Sequence, residues 1–435
     1  PPRLSHLPRF QHWEVLRIGA SDLLAWPDLD TVTRQLAGLA DTLVRVCLEA
    51  ASAEWAIPTD GFAVLALGKL GGQELNYSSD IDLLFLSATD APAFRRLGER
   101  LIEKLTTVTA EGFLYRVDMR LRPWGQVGPL VTPCEAYLIY LERYARLWEK
   151  QALLKARPIA GDLALGEAFL RRAEPFIFGV SPETVRAGVH AMKQRTEAHL
   201  RRLGREWGDV KLGEGSIRDV EFVVQCLQLM HGGTHPQIRS RNTLDALERL
   251  AMHGLLTPEE HRVLADGYIF LRTIEHHLQL MDYRQTHTLP AEPQALTQLA
   301  RRLGFQGPDV GAKFVTRYEQ HRAAIRAVYL HHLEEGEMNQ PQFPERPVVQ
   351  EHVARMAPSY VNAFSEQEIA HHALLAEHLD SEHLVEVEAL PLGDRRWRVT
   401  IVAYDYPGEL SLICGLLFVQ GFSILDGKVF TYEAE

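Results

Sequence analysis

Two short apolar runs bracket a glycine-rich segment, and this arrangement limits what the chain can fold into more than any other feature. Phe62-Ala63-Val64-Leu65-Ala66-Leu67 is short and wholly apolar, so it reads as a strand buried on both faces. Gly68-Lys69-Leu70-Gly71-Gly72 follows as a turn, and Ile81 to Leu86 reads as a second buried strand. Asp80 and Asp82 stand at the start of that second run. Side chains alternate along a strand, so these two carboxylates share one face while Ile81 and Leu83 turn into apolar packing. Carboxylates paired in this way suit a hard divalent cation such as magnesium. Glycines a dozen residues earlier let backbone amides approach a polyphosphate closely.

A third strand is expected over residues 113–122, after a helix over 93–110. There Tyr115, Val117, Met119 and Leu121 alternate with Arg116, Asp118, Arg120 and Arg122. Asp118 would complete a carboxylate triad, and Arg120 and Arg122 would offset phosphate charge. Two metals held by such a triad stabilise the attacking and leaving oxygens of an in-line phosphoryl displacement. Each element alone is common on solvated strands. Their succession in one α/β region points to metal-dependent nucleotide chemistry.

Other classes are excluded by simple counts. Lys plus Arg is 46 against 57 for Asp plus Glu, a net charge of −11, the wrong sign for a general nucleic-acid coat. No run of 18 apolar residues marks a membrane span. Cys47, Cys134, Cys226 and Cys414 are isolated, so neither a zinc cluster nor a disulfide framework is expected, and a reducing cytoplasm is the expected location. The chain opens on Pro1 rather than Met, which suggests part of a longer protein.

The organisation reads as a helical segment over 1–57, the strand-bearing domain over 58–160 and a helical domain over 161–338. A linker with a connecting helix over 339–395 and a β-α-β unit over 396–435 complete it. His276-His277, His331-His332 and His371-His372 lack the spacing of metal ligands on one helix face.

Gly68, then twelve residues to Asp80, then Asp80-Ile81-Asp82, resembles the signature of polymerase-beta-like nucleotidyltransferases, although Lys69 stands where many members carry Ser or Gly. The wording GKLGGQELNYSSDIDLLFL with VDMRLRPWG downstream resembles the glutamine-synthetase adenylyltransferase (adenylyl-removing) family. Further blocks resemble it in order at residues 148–162, 213–233, 241–247 and 275–290. The resemblance implies a nucleotidyltransferase α/β domain followed by a helical bundle. It also implies magnesium on Asp80, Asp82 and Asp118, with ATP near Gly68, Lys69, Gly71, Ser79, Arg120 and Arg122. A hydroxyl of glutamine synthetase, expected to be a tyrosine, would accept AMP, or phosphorolysis would remove it. No chemistry is expected of Glu275, His276, Gln285 or His287.

Residues 356–379 resemble the segment that precedes the small-molecule-binding domains of PII uridylyltransferase, and 398–410 resemble an ACT domain, so 396–435 is expected to be a partial, ferredoxin-like ACT unit. That resemblance implies an amino-acid ligand, plausibly glutamine, near Asp405, Pro407 and Gly408, and a PII-type signalling protein as a second partner. Two rival readings are a uridylyltransferase of a PII-type protein and a regulatory module with a retired active site. The absence of any His-Asp dipeptide weighs against the first, and the intact carboxylate set against the second.

Overall fold

The computed structural model describes residues 6–24, 28–205, 207–282, 286–334, 347–361, 363–364, 366–377, 379, 384–393, 396–404 and 408–432. The fold is mixed α/β, mostly helical, with two small sheets. No helix among the described residues is long and apolar enough to cross a membrane.

Helices α1 (Leu7–Leu23) and α2 (Leu29–Trp55) open the chain. Asp28 caps α2, its carboxylate accepting from the Thr31 amide at 2.8 Å. Next come β1 (Phe62–Ala66), the four-residue helix α3 (Gly68–Gly71), β2 (Ile81–Ser87) and α4 (Pro92–Thr106). They are followed by β3 (Val117–Asp118), β4 (Val131–Pro133), α5 (Cys134–Arg143), α6 (Leu147–Leu153), β5 (Arg157–Gly161) and α7 (Leu163–Phe178). The strands form one sheet in the order β3-β2-β1-β5, with β4 also paired to β2. β1 is antiparallel to β2 and β5, whereas β3 and β4 run parallel to β2.

The period of two sorts β1 and β2 between two cores. Phe62, Val64, Ala66, Ile81, Leu83 and Phe85 pack with α1, α2 and α4. Ala63, Leu65, Leu84 and Leu86 face a larger core. That core is shared with α5, α7 and α8 (Pro182–Arg202), and continues through α9 (Ile217–His231), α10 (Thr243–Met252) and α11 (Pro258–Asp282) to α12 (Pro293–Arg302) and α13 (Val310–Leu333). Residues 1–336 thereby form one compact unit. Each buried Leu contributes about 1.5–3 kcal/mol, and a one-residue slip of β2 would exchange its faces. Register is therefore firmly set. Asp82 has the parity of Leu84 and Leu86, which directs it toward the helices.

Two expectations in this unit are corrected. The glycine-rich segment, expected as a turn, folds over Gly68–Gly71 as the four-residue helix α3. The strand expected over 113–122 pairs only at Val117 and Asp118. Trp124 and Gly125 adopt left-handed backbone (φ 62° and 59°), and the Arg122 guanidinium donates to the carbonyls of Met119, Gln126 and Gly128. The chain therefore curls away from β2 before rejoining it as β4.

Residues 337–435 form a second unit. It contains α14 (Pro347–Ala354), α15 (Pro358–Val361), α16 (Glu366–Glu377), an antiparallel hairpin of β6 (Val385–Gly393) and β7 (Arg396–Ala403), and α17 (Glu409–Val419). β6 lies where the linker was expected. Its signal, the alternation Val385-Glu386-Val387-Glu388, is plain in the sequence. The strand expected over 423–432 forms no ladder among the described residues, only one bridge, Tyr432 to Met356. The segment is held by helices instead. Phe430 packs on the Val349–Tyr360–Ile369 cluster, and Tyr432 Oη lies 2.7 Å from His352 Nδ1. Tyr432→Phe is expected to lower the stability of this unit by about 0.5–1.5 kcal/mol, read as an earlier urea midpoint. No shift would show that the hydroxyl is merely solvated.

Candidate functional site

The parallel register of β2 on β3 places Ile81 opposite Val117 and Asp82 opposite Asp118. The two carboxylates therefore share the sheet face that Asp82's parity directs toward the helices, and Asp80 lies two residues back on the same side. Asp80, Val117, Asp118, Met119, Arg120, Arg122 and Gln126 line an open depression of about 340 Å³, within the range of ligand sites.

Burial, with the charges of Asp118 and Asp80 beside it, pushes the Asp82 carboxyl up to about 6 against the pull of Lys211 and Lys69. Its carboxylate makes no ion pair or side-chain hydrogen bond among the described residues. The other two are engaged. Arg116 Nε donates to Asp80 Oδ1 at 2.5 Å and its Nη2 to the Ser78 carbonyl at 2.8 Å. Arg120 grips Asp118 through its backbone amide (2.8 Å) and its Nε (2.8 Å to Oδ2), and this hydrogen bonding holds the Asp118 carboxyl below its usual range. Two carboxylates in the depression, each on a guanidinium group, with the Asp82 carboxylate paired across the strands to Asp118, fit an all-oxygen site for hard divalent cations.

Gly68 closes this site from below. Its φ is 53°, and a Cβ there would collide with Asp82 Oδ2. Gly68→Ala would combine left-handed strain of about 1–3 kcal/mol with displacement of that carboxylate. Binding of a divalent cation is expected to weaken about 10- to 100-fold, with an unchanged circular dichroism spectrum. Wild-type affinity would show the turn to be irrelevant. Ser79 is buried and its hydroxyl has no hydrogen-bond partner among the described residues, an orphan beside Asp80 that a bound group would satisfy.

The remaining sequence candidates sit differently. Gly71 serves packing, since a Cβ there would strike the Lys155 carbonyl. Lys69 Nζ donates to Glu275 Oε1 on α11 at 2.8 Å. Burial pushes the Lys69 ammonium down while Glu275 opposes that push. Arg122 lines the depression, but three of its N–H donors go to carbonyls of the 119–128 loop. In the second unit Gly408 is exposed with φ 90°, whereas Asp405 and Pro407 lie outside the described residues.

Sequence reasoning passed over Glu275 and Arg116. Glu275 is buried, and burial favours its neutral form, yet Lys69, Arg272 and Lys211 hold its carboxyl far below the usual range. Its contact to Lys69 spans 206 residues, so no local pattern signals it. Arg116 stood in the expected alternation and could have been matched to Asp80. His276 is structural: it packs edge-on to Tyr77 at 4.6 Å, and burial pushes it down to about 3, so it stays neutral. Gln285 lies outside the described residues.

Comparison with known proteins gives two family matches. Residues 3–172 match the model for glutamate-ammonia ligase adenylyltransferase, and residues 190–332 match that for GlnD PII-uridylyltransferase. A bifunctional glutamine synthetase adenylyltransferase/adenylyl-removing enzyme of Mesorhizobium japonicum is 38% identical over 314 residues, 66% of this chain and 32% of the relative. The enzyme of that name from Hahella chejuensis is 38% identical over 322 residues, 68% of this chain and 33% of its own. One from Stenotrophomonas maltophilia is 40% identical over 318 residues, 66% and 34% respectively. The chain spans about a third of the length of these curated relatives.

Proposed function

We propose that this chain, whose residues 3–172 match the model for glutamate-ammonia ligase adenylyltransferase, is a magnesium-dependent nucleotidyltransferase acting on glutamine synthetase in nitrogen regulation. The observation that carries the reading is the pairing of Asp82 with Asp118, which brings the carboxylates of two strands to one face. Asp80, Asp82 and Asp118 would hold magnesium, which supplies charge neutralisation at the triphosphate.

The residues of the chain do the rest. Gly68 leaves room for the Asp82 carboxylate, and Ser79 offers an unpaired hydroxyl. Arg116 and Arg120, released from Asp80 and Asp118 when metal binds, would be free to meet phosphate oxygens. A protein hydroxyl attacks the α-phosphorus, the bond to the bridging oxygen breaks, and pyrophosphate leaves. The same site run with inorganic phosphate on adenylylated protein would release ADP, which corresponds to the second activity in the relatives' names. Lys69 acts in this reading through Glu275, fixing α3 against α11 rather than reaching the nucleotide directly.

A partial ACT unit at 396–435 that answers to glutamine, and a PII-type partner, belong to the same proposal. They are supported by the strand–Gly408–helix order and by the sequence resemblance. The test incubates the protein with magnesium, α-labelled ATP or UTP, and glutamine synthetase or a PII-type protein. Label passing from ATP to glutamine synthetase is expected. Label passing only from UTP to the PII-type protein would replace this reading with the uridylyltransferase one, and no transfer with either would end it.

A further inference from the structure

Helix α13 packs against both α11 and α8. Glu260 lies in the first turn of α11 and completes a capping box. Its Oε2 accepts from the Thr257 amide at 2.8 Å, and Thr257 Oγ1 accepts from the Glu260 amide at 3.2 Å. The other oxygen, Oε1, turns to the last turn of α13, where it meets His331 Nδ1 at 2.7 Å and His332 Nε2 at 3.1 Å. The three donor atoms all lie within 4.8 Å of one another.

We propose that Glu260, His331 and His332 bind a transition-metal dication of the zinc type, pinning the start of α11 to the end of α13. Adjacent residues on a helix point about 100° apart, which on one helix alone argues against shared ligation. Here the carboxylate comes from a second helix, and the two imidazoles reach it through different nitrogens, one near the ring root and one at its tip. Ligands at 2.0–2.1 Å in a tetrahedron stand about 3.3 Å apart. The observed donor spacings to Glu260, 2.7 and 3.1 Å, would open by about 0.6 and 0.2 Å to reach it. The Glu260 and His332 side chains are 13% and 15% exposed, whereas His331 is 54% exposed. One side thus stays open for a water as fourth ligand. Two nitrogens and one carboxylate favour zinc over magnesium, which separates this site from the all-oxygen triad. Arg186, whose Nε donates to the His332 carbonyl at 3.1 Å, orients the end of α13. Its positive charge opposes a cation there.

The alternative occupant of this geometry is two protons, with Glu260 simply accepting from both imidazoles. Calorimetric titration of zinc into tag-free, chelator-treated full chain separates the two. Wild-type protein should bind one zinc more per chain than the His331→Ala/His332→Ala variant. Its cobalt complex should show the absorption of a four-coordinate ion, and its melting temperature should rise with zinc but not with magnesium. His371→Ala, which removes a histidine paired with Glu388 in the second unit, should bind as wild type. Unchanged stoichiometry in the double variant, or no zinc binding by wild type, would overturn the proposal. His331→Ala alone, at an exposed position, keeps the test valid should the double variant fold poorly.

Discussion

Asp82→Asn is expected to lose at least about 1,000-fold in nucleotidyl transfer while gaining stability in the absence of metal. The first half follows from ligand charge. A metal ion held by Asp82, as proposed, would contribute several kcal/mol to a phosphoryl transition state, and each 1.36 kcal/mol is tenfold in rate. The second half follows from burial. In the folded protein the Asp82 carboxyl is raised to about 6 by burial and by Asp118 and Asp80, against about 4 in an unfolded chain. A raised carboxyl binds its proton more tightly when folded, so stability falls as pH rises from about 4 through 6, and the penalty is complete above that window. Asparagine has nearly the same shape and no charge, so the variant escapes it. Urea midpoints with chelator at pH 5 and 7.5 should show the variant pulling ahead of wild type by on the order of 1–3 kcal/mol at the higher pH. Added magnesium should close the gap by stabilising wild type alone. A variant that transfers label at the wild-type rate, or one less stable at pH 7.5 without metal, would remove Asp82 from the metal site.

That prediction could be written largely from the sequence, because the features behind it are local. An apolar run of six residues has to be buried on both faces, which fixed β1 and β2. Alternation then placed Asp80 with Asp82, and Asp118 with Arg116 and Arg120, before any pairing was known. What stayed hidden was non-local or geometric. Arg122 looked like a phosphate ligand because it shares the parity of Asp118, yet the left-handed backbone at Trp124 and Gly125 turns the loop so that its guanidinium binds carbonyls. Lys69 looked like a phosphate lysine because it follows Gly68, yet its partner lies on α11. The second unit shows the same limit. The segment 423–432 has strand-like composition, but a strand needs an edge, and Phe430 and Tyr432 find the helices α14 and α15 instead.

The ion-pair chain that fixes the loop ahead of Asp80 is where a single substitution should cost most in stability. Lys155, buried after α6, donates through Nζ to Glu74 Oε2 at 2.5 Å and to Thr243 Oγ1 at 3.0 Å. Glu74 Oε1 accepts from the Thr243 amide at the start of α10, and the Glu74 carbonyl accepts from Arg272 Nη2 at 2.5 Å. Arg272 continues to Asn76 Oδ1 at 2.7 Å and Glu275 Oε2 at 3.2 Å, and Glu275 closes the chain on Lys69. The links from Glu74, Asn76 and Lys69 join the 68–79 segment to Lys155, to the start of α10 and to α11. Lys155→Met keeps the packing of the side-chain stem but leaves the Glu74 carboxylate buried with no cation on it. Breaking a buried pair from one side costs about 3–5 kcal/mol, whereas replacing both partners by apolar groups is often neutral or better. The single variant should therefore lose about 3–5 kcal/mol in urea denaturation, and Glu74→Met/Lys155→Met should recover most of it. Transfer activity should not recover in parallel. The double variant restores burial but not the Thr243 anchor that holds Glu74, and with it the approach to Ser79 and Asp80. A single variant less than about 1 kcal/mol below wild type would mean that water reaches Glu74 and that the segment is positioned by packing alone.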